Sequence, residues 1–408
     1  INTYCTDRKM KQPTYAYYKQ IFSGKEMPFA FIDLDLLKQN IVKSRVRADT
    51  KKIRIASKSI RCVAVMKYIL DMGLPFQGIM AFTALEAIFL AEKGFNDLLV
   101  AYPTWHKNHI SAVCKAIKKD KNLNIYLMLD SEVHVLHLAK IAADNDVVLS
   151  VCLDLDMSSA FPKLHFGVYR SSVTNKKQAK KVVKAIEKQA SLRLAGVMGY
   201  EAQIAGVGDN VKGDFLKNQV VRQLKKRSIK EIVKRRADVV TMIEKRGHQL
   251  DFVNGGGTGS LETTRLEDCV TEVTVGSGFY ASGLFDNYVN FKHAPAAAYA
   301  IEIVRKPQAN IYTCLGGGYT ASGTAGNDKT PVPYLPKGIS LTANEGAGEV
   351  QTPIVYKGHT SLQLGDPIFL RHSKAGELCE RFNELWIIGN GKIIEKVPTY
   401  RGEGKCFL

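Results

Sequence analysis

The run Leu250-Asp251-Phe252-Val253-Asn254-Gly255-Gly256-Gly257-Thr258-Gly259-Ser260 decides how the rest of this 408-residue chain is read. A short apolar stretch ends in asparagine and breaks into consecutive glycines, the pattern of a buried strand whose C-terminal end opens into a tight turn. The same grammar returns at Val273-Thr274-Val275-Gly276-Ser277-Gly278, and again at Ile53-Arg54-Ile55-Ala56-Ser57-Lys58. Working outward, apolar β-branched runs at Phe29–Leu34, Ile53–Ser57, Phe76–Met80, Leu98–Ala101, Ile125–Leu129, Val148–Leu153, Leu194–Met198, Leu250–Val253 and Val273–Val275 alternate with amphipathic stretches. Repeated strand-helix units of this kind build a parallel sheet, and their number is what a closed (β/α)8 barrel needs. Such a barrel places its chemistry at the C-terminal strand ends. The fold class is therefore α/β, a TIM-like barrel over residues 28–290. An N-terminal extension, 1–27, precedes it, and a β domain of short strands and Gly/Pro-rich turns, 291–408, follows. The extension is expected to pack with that β domain.

Composition narrows the function classes. Hydrophobic residues make up 45% and charged residues 24%, values of an ordinary globular protein. No apolar run is long enough to span a bilayer, the first residues lack a secretory signal, and the eight cysteines are scattered without a CxxC pair. A cytoplasmic, membrane-free protein with reduced thiols is expected. The net charge of +18 suggests nucleic acid at first sight. Most of it falls on two amphipathic helices, one carrying Lys176, Lys177, Lys180, Lys181, Lys184 and Lys188. The other carries Lys225, Lys226, Arg227, Lys230, Lys234, Arg235 and Arg236. These read as solvated outer faces of a barrel without interleaved aromatics, so nucleic acid is not an expected partner.

Two features carry chemistry on their own residues. Lys58 sits at a strand end with Arg61 three residues on, and partial desolvation beside a second cation makes an amine nucleophilic toward aldehydes. A lysine there is ordinarily a snorkelling surface residue, so the position alone is weak. The paired turns Gly256-Gly257-Thr258 and Gly276-Ser277 offer converging amides and hydroxyls to an anion such as a phosphate. The same glycines would also suit tight turns at a closing barrel.

Taken together, Phe31-Ile32-Asp33-Leu34-Asp35, Ala56-Ser57-Lys58-Ser59, His165-Phe166-Gly167-Val168, Gly199-Tyr200-Glu201, Asn254-Gly255-Gly256-Gly257-Thr258 and the late Asp366-Pro367 with His372 resemble the fold-type III pyridoxal-phosphate enzymes. Within these the chain is most similar to the D-threonine aldolase and D-serine dehydratase group, more distantly to alanine racemase. The resemblance implies that Lys58 forms the Schiff base with pyridoxal 5'-phosphate, that Gly256, Gly257, Thr258, Gly276 and Ser277 hold its phosphate, and that Tyr200 hydrogen-bonds the pyridine nitrogen. A phenol in that place makes the ring a milder electron sink than a carboxylate would. Arg170 matches an arginine near the cofactor or the substrate carboxylate. The implied activity is that of a lyase, dehydrating or cleaving a small β-hydroxy D-amino acid, with racemisation or non-catalytic cofactor binding as alternatives. A homodimer is implied too, with Tyr319 a candidate for reaching the partner's site.

One departure stands out. Aldolase and dehydratase members carry a His-x-Cys or His-x-Asp metal pair, whereas this chain has His372-Ser373-Lys374. An ammonium cannot coordinate a cation, so a divalent metal is doubtful. His372 is expected to act instead as a catalytic polar or proton-transfer group, with Lys374 standing in electrostatically for the ion.

Overall fold

The computed structural model describes residues 12–323 and 326–408. They form two compact units. The larger comprises Leu36–Ala296, Lys374–Glu384 and Val397–Leu408. Its centre is a closed barrel of eight parallel strands: Lys52–Ala56, Phe76–Ala81, Asp97–Val100, Asn124–Leu129, Leu149–Asp154, Leu192–Gly199, Phe252–Gly255 and Glu272–Val275. They neighbour one another in chain order, and the eighth closes on the first through Glu272 opposite Lys52. Most strand residues are buried, which is why these segments read as continuous apolar runs rather than alternating ones.

Inside the barrel Leu99, Tyr126, Met128, Cys152, Met198 and Phe252 form one cluster, with the Tyr126 and Phe252 rings edge to face at 5.0 Å. Below it lies a buried ion-pair group, in which Arg54 Nε donates to Glu272 at 2.7 Å and Nη1 to Asp97 at 2.7 Å. Side-chain caps start several outer helices. Thr83 accepts from the Glu86 amide, Ser131 from that of His134, and Asn175 from those of Lys177 and Gln178.

The second unit comprises the described part of Ile1–Asp35 with Ala297–Ser373 and Leu385–Lys396. Its nine-stranded sheet runs in the order Ile339–Leu341, Gln351–Tyr356, Ile311–Leu315, Ala297–Gln308, Phe29–Asp33, Glu384–Gly389 and Lys392–Pro398. A branch, Pro367–Arg371 with Val332–Leu335, joins at Ala297–Gln308. The helix Tyr15–Ile21 belongs to this unit. Tyr18 packs on Phe31 and Phe369 and donates to Asp33 at 2.9 Å. Residues 1–11 of the predicted N-terminal extension lie outside the described residues.

Three sequence expectations need correction. Phe29–Asp33, read as the first barrel strand, pairs antiparallel with Ala297–Gln308 and parallel with Glu384–Gly389 in the sheet unit. A fully buried five-residue run looks the same in either setting. The unit boundary at 291 is also too simple, because Lys374–Glu384 and Val397–Leu408 return to the barrel. Finally, Lys225 and Arg236 are not on the solvated face. Lys225 is buried against Asp209 at 3.0 Å, and Arg236 is fully buried. Seven cysteines fall among the described residues and none forms a disulfide there. No helix there is long and apolar enough to cross a membrane.

Candidate active site

The C-terminal strand ends of the barrel surround a cavity of about 650 Å³. Lys58 and Ser59 reach it from the first strand and Tyr102 from the third. His165 and Arg170 come from the connection after the fifth, Tyr200 from the sixth, Gly256 to Thr258 from the seventh, and Gly276 and Ser277 from the eighth. Strand geometry alone thus brings residues far apart in sequence onto one wall.

Lys58 lies in a single 3-10 turn, Ser57–Ser59, directly after its strand. Its carbonyl accepts from Arg61 Nε at 2.9 Å, and Arg61, in the left-handed region at φ 48°, is ion-paired with Glu380. Ser57 is anchored to the Met80 carbonyl at 2.9 Å. The backbone of the turn is fixed while Lys58 itself is exposed to the cavity, with Nζ 3.5 Å from the Tyr102 hydroxyl. Burial pushes the Tyr102 phenol up, but Lys58 and Arg170 outweigh it and hold the phenol below its ordinary value. Tyr102 escaped the sequence reading. It follows a strand end as Lys58 does, and that rule would have found it.

Arg170 lies over the Tyr102 ring at 4.9 Å. Its Nε donates to Asp154 at 2.9 Å and its Nη2 to the Ala101 carbonyl. Burial pushes the Asp154 carboxyl up to about 6 despite the guanidinium beside it. Arg170 is therefore a clamped part of the wall.

The glycine turn rests on a buried carboxylate. Glu201 accepts from the Gly256 amide at 3.1 Å, from Ser260 at 3.2 Å and from Thr264, and pairs with Arg236 at 3.0 Å, which in turn pairs with Glu267. Gly256 has φ 78°, a conformation glycine adopts without strain. The Gly257 amide faces Ser260 Oγ at 3.1 Å. Both amides are thus engaged, one by Glu201 and one by Ser260. Thr258 Oγ1 accepts from Gly278 at 3.0 Å, and Ser59 and Ser277 are 3.1 Å apart. Glu201 and Ser59 were not singled out as site residues from sequence.

Tyr200 lines the cavity against the barrel core, and burial raises its phenol, with Lys58 opposing. Gln203 is buried and donates to Met157 at 2.5 Å and Ser228 at 2.9 Å. His372 is fully buried and belongs to the sheet unit. Tyr319 also belongs to the sheet unit, its ring 5.6 Å from Tyr299. Trp105 is 55% exposed and stacks on His137.

Beneath the Lys58 turn, Glu86 is fully buried and accepts from the Phe82 amide at 2.6 Å and Tyr400 at 2.9 Å. Burial pushes its carboxyl up to about 7, against the pull of Ser57, Phe82, Tyr400 and Arg61. The folded state holds this proton more tightly than the unfolded chain, so folding stability falls as pH rises from about 4.5 to about 7. Glu86→Gln is expected to flatten that slope, measured as urea midpoints across the window; an unchanged slope would assign it to other groups.

The family model of the alanine racemase N-terminal domain matches residues 32–282, more than half of the chain. The chain belongs to this family. The 3-hydroxy-D-aspartate aldolase of Paracoccus denitrificans (strain Pd 1222) is 22% identical over 254 residues, 62% of this chain and 59% of the relative's length. Among solved structures, D-threonine aldolase from Filomicrobium marinum superposes with a TM-score of 0.77 at 16% identity, covering 92% of this chain and 95% of that one. The D-threo-3-hydroxyaspartate dehydratase from Delftia sp. HT23 gives 0.74 at 16%, covering 92% and 98%. The fold-type III architecture expected from the motifs is thus the architecture observed.

The racemase-family barrel takes pyridoxal phosphate, and the residues present fit it: a lysine at the mouth, hydroxyls on adjoining turns, and no carboxylate on the cavity wall. A divalent ion fits less well. Among the described residues no group of three or more His, Cys, Asp or Glu is arranged to hold one, and Lys374, on the wall, offers no lone pair as a cation.

Proposed function

We propose that this protein is a pyridoxal-phosphate-dependent lyase acting at Cα of a small D-amino acid, dehydrating or cleaving a β-hydroxy substrate. The observation that carries this reading is Lys58, fixed by its backbone with its side chain exposed to the cavity that Thr258 and Ser277 also line. Their hydroxyls, with Ser59, would hold the cofactor phosphate, while Tyr200 would face the ring nitrogen. When bound, the cofactor supplies an aldehyde for amines and a ring that takes up the electron pair left at Cα.

The chain's own groups do the rest. Lys58 Nζ is the nucleophile toward the aldehyde and afterwards the proton carrier at Cα. Tyr102, 3.5 Å away and with its phenol held low, accepts or returns a proton to that amine. The Arg170–Asp154 pair fixes the Tyr102 ring. A second reading, racemisation, draws on His165, which lines the same cavity and stacks on Tyr169 at 4.0 Å, as a second proton carrier.

The test is a product panel. The cofactor-loaded protein is incubated with D- and L-serine, threonine and alanine, and keto acid, aldehyde and inverted amino acid are followed separately. Keto acid or aldehyde from a D-hydroxy substrate is expected. Inversion alone would establish the racemase, and no turnover with any would defeat both.

A further inference from the structure

The two hydroxyl-bearing turns are joined from behind by residues that do not line the cavity. Asn40, Lys43 and Arg47 lie three and four positions apart on the helix Leu34–Ala48 and so share one face of it. Asn40, fully buried, donates to the Phe279 and Ala294 carbonyls at 2.9 and 2.7 Å and accepts from the Ala294 amide at 2.8 Å. Lys43 donates to the Lys292 carbonyl at 3.1 Å. Arg47 donates from Nη2 to the Thr258 carbonyl at 2.6 Å, and its Nη1 meets His293 Nε2 at 3.1 Å. His293 completes the bridge, with Nδ1 2.7 Å from the Gly278 carbonyl. A carbonyl can only accept, so Nδ1 carries the hydrogen and Nε2 offers its lone pair to Arg47. Burial, with Arg47 and Lys43 beside it, holds this imidazole down to about 4 against the Gly278 contact and Glu262, which keeps the neutral form in place.

The contacts close a ring across both turns. Gly278 gives its amide to Thr258 Oγ1 at 3.0 Å and its carbonyl to His293, while Thr258 gives its carbonyl to Arg47. A Cβ on Gly278 would lie 2.6 Å from Thr258 Cγ2 and 3.3 Å from His293 Cε1, so the ring has no slack. Arg47 is itself fixed by Glu262, at 2.5 and 2.9 Å, and by the Phe291 ring, 3.8 Å below the guanidinium. Glu262 offsets the charge, so what Arg47 gives the turns is the shape of its fork rather than a field. We infer that Arg47 and His293 are the positioning pair for the cofactor phosphate, holding Thr258 at the spacing from Ser277 that one anion can span. They act through the turns and not on the anion itself. This rests on the cofactor reading above, which assigns those two hydroxyls to the phosphate.

The experiment titrates the full chain, stripped of cofactor, with pyridoxal 5'-phosphate and with pyridoxal, which has the same ring and aldehyde but no phosphate, following the visible absorption band. His293→Ala is expected to weaken pyridoxal phosphate about tenfold and Arg47→Met about tenfold to hundredfold, with pyridoxal held within about twofold in both. His293→Asn, whose amide can take the place of Nδ1, is expected to recover most of the loss. Arg47→Lys keeps the charge without the fork and is expected to bind almost as weakly as Arg47→Met. The two His293 variants leave the Arg47–Glu262 pair intact and carry the test alone should Arg47→Met not fold. Three results would overturn the inference: equal weakening of pyridoxal and pyridoxal phosphate, no weakening of either, or full recovery in Arg47→Lys, which would make the effect one of charge. An unaltered protein that shows the band and prefers the phosphate ester, with variants that behave like it, defeats this inference alone. No band in the unaltered protein defeats the cofactor reading and this one with it.

Discussion

Lys58→Ala is expected to abolish the visible absorption band of the cofactor-loaded protein and to lower turnover at least about 10³-fold, since one side chain serves as both nucleophile and proton carrier. The fold should be untouched. Lys58 is exposed to the cavity, and the contact that fixes its turn uses its backbone carbonyl, which alanine keeps. Thermal unfolding should therefore overlay that of the unaltered protein. Partial recovery of turnover on adding methylamine would show that the lost function is that of an amine. A variant that keeps its band and its rate would remove Lys58 from the chemistry.

The largest expected stability effect lies one layer deeper, at Glu201. Glu201 and Arg236 are both fully buried, and Glu201 also receives the Gly256 amide, Ser260 and Thr264. Glu201→Ala removes one of two carboxylates from a buried guanidinium and strips the glycine turn of its acceptor. Breaking a buried pair from one side costs about 3–5 kcal/mol. Urea unfolding of the apoprotein measures this, and the turn's loss of order should appear separately as weaker cofactor binding. Replacing Arg236 and Glu201 together by Met and Gln should cost less than the sum of the single changes, because their mutual interaction is then lost once rather than counted twice, while Glu267 loses its partner in the double change as it does in the Arg236 change alone. Additive costs would mean that the two do not act as a pair.

These residues show where sequence reasoning reaches and where it stops. Eight barrel strands were legible because a parallel sheet covered on both faces forces unbroken apolar runs. Residues lining the cavity were legible where they sat within three positions of a strand end, as Lys58, Tyr200, Thr258 and Ser277 do. Phe29–Asp33 misled for the same reason the others succeeded, since burial on both faces carries no mark of which sheet does the burying. Arg236 and Lys225 sat among other cations on a helix whose exposed face dominates its composition. Their buried partners, Glu201, Glu267 and Asp209, lie 16 to 35 positions away in sequence and form no periodic signal.

The threading of the chain between its two units has a consequence for synthesis. The barrel unit contains Val397–Leu408, whose Tyr400 is buried and donates to Glu86 under the Lys58 turn. A nascent chain that has completed all eight barrel strands still lacks this support, and lacks Lys374 as well. The Lys58 turn thus gains its full support only after translation has passed through the sheet unit, so that a truncated product cannot present a finished cavity wall. For the same reason, neither unit could be inherited as a cassette by cutting the gene once.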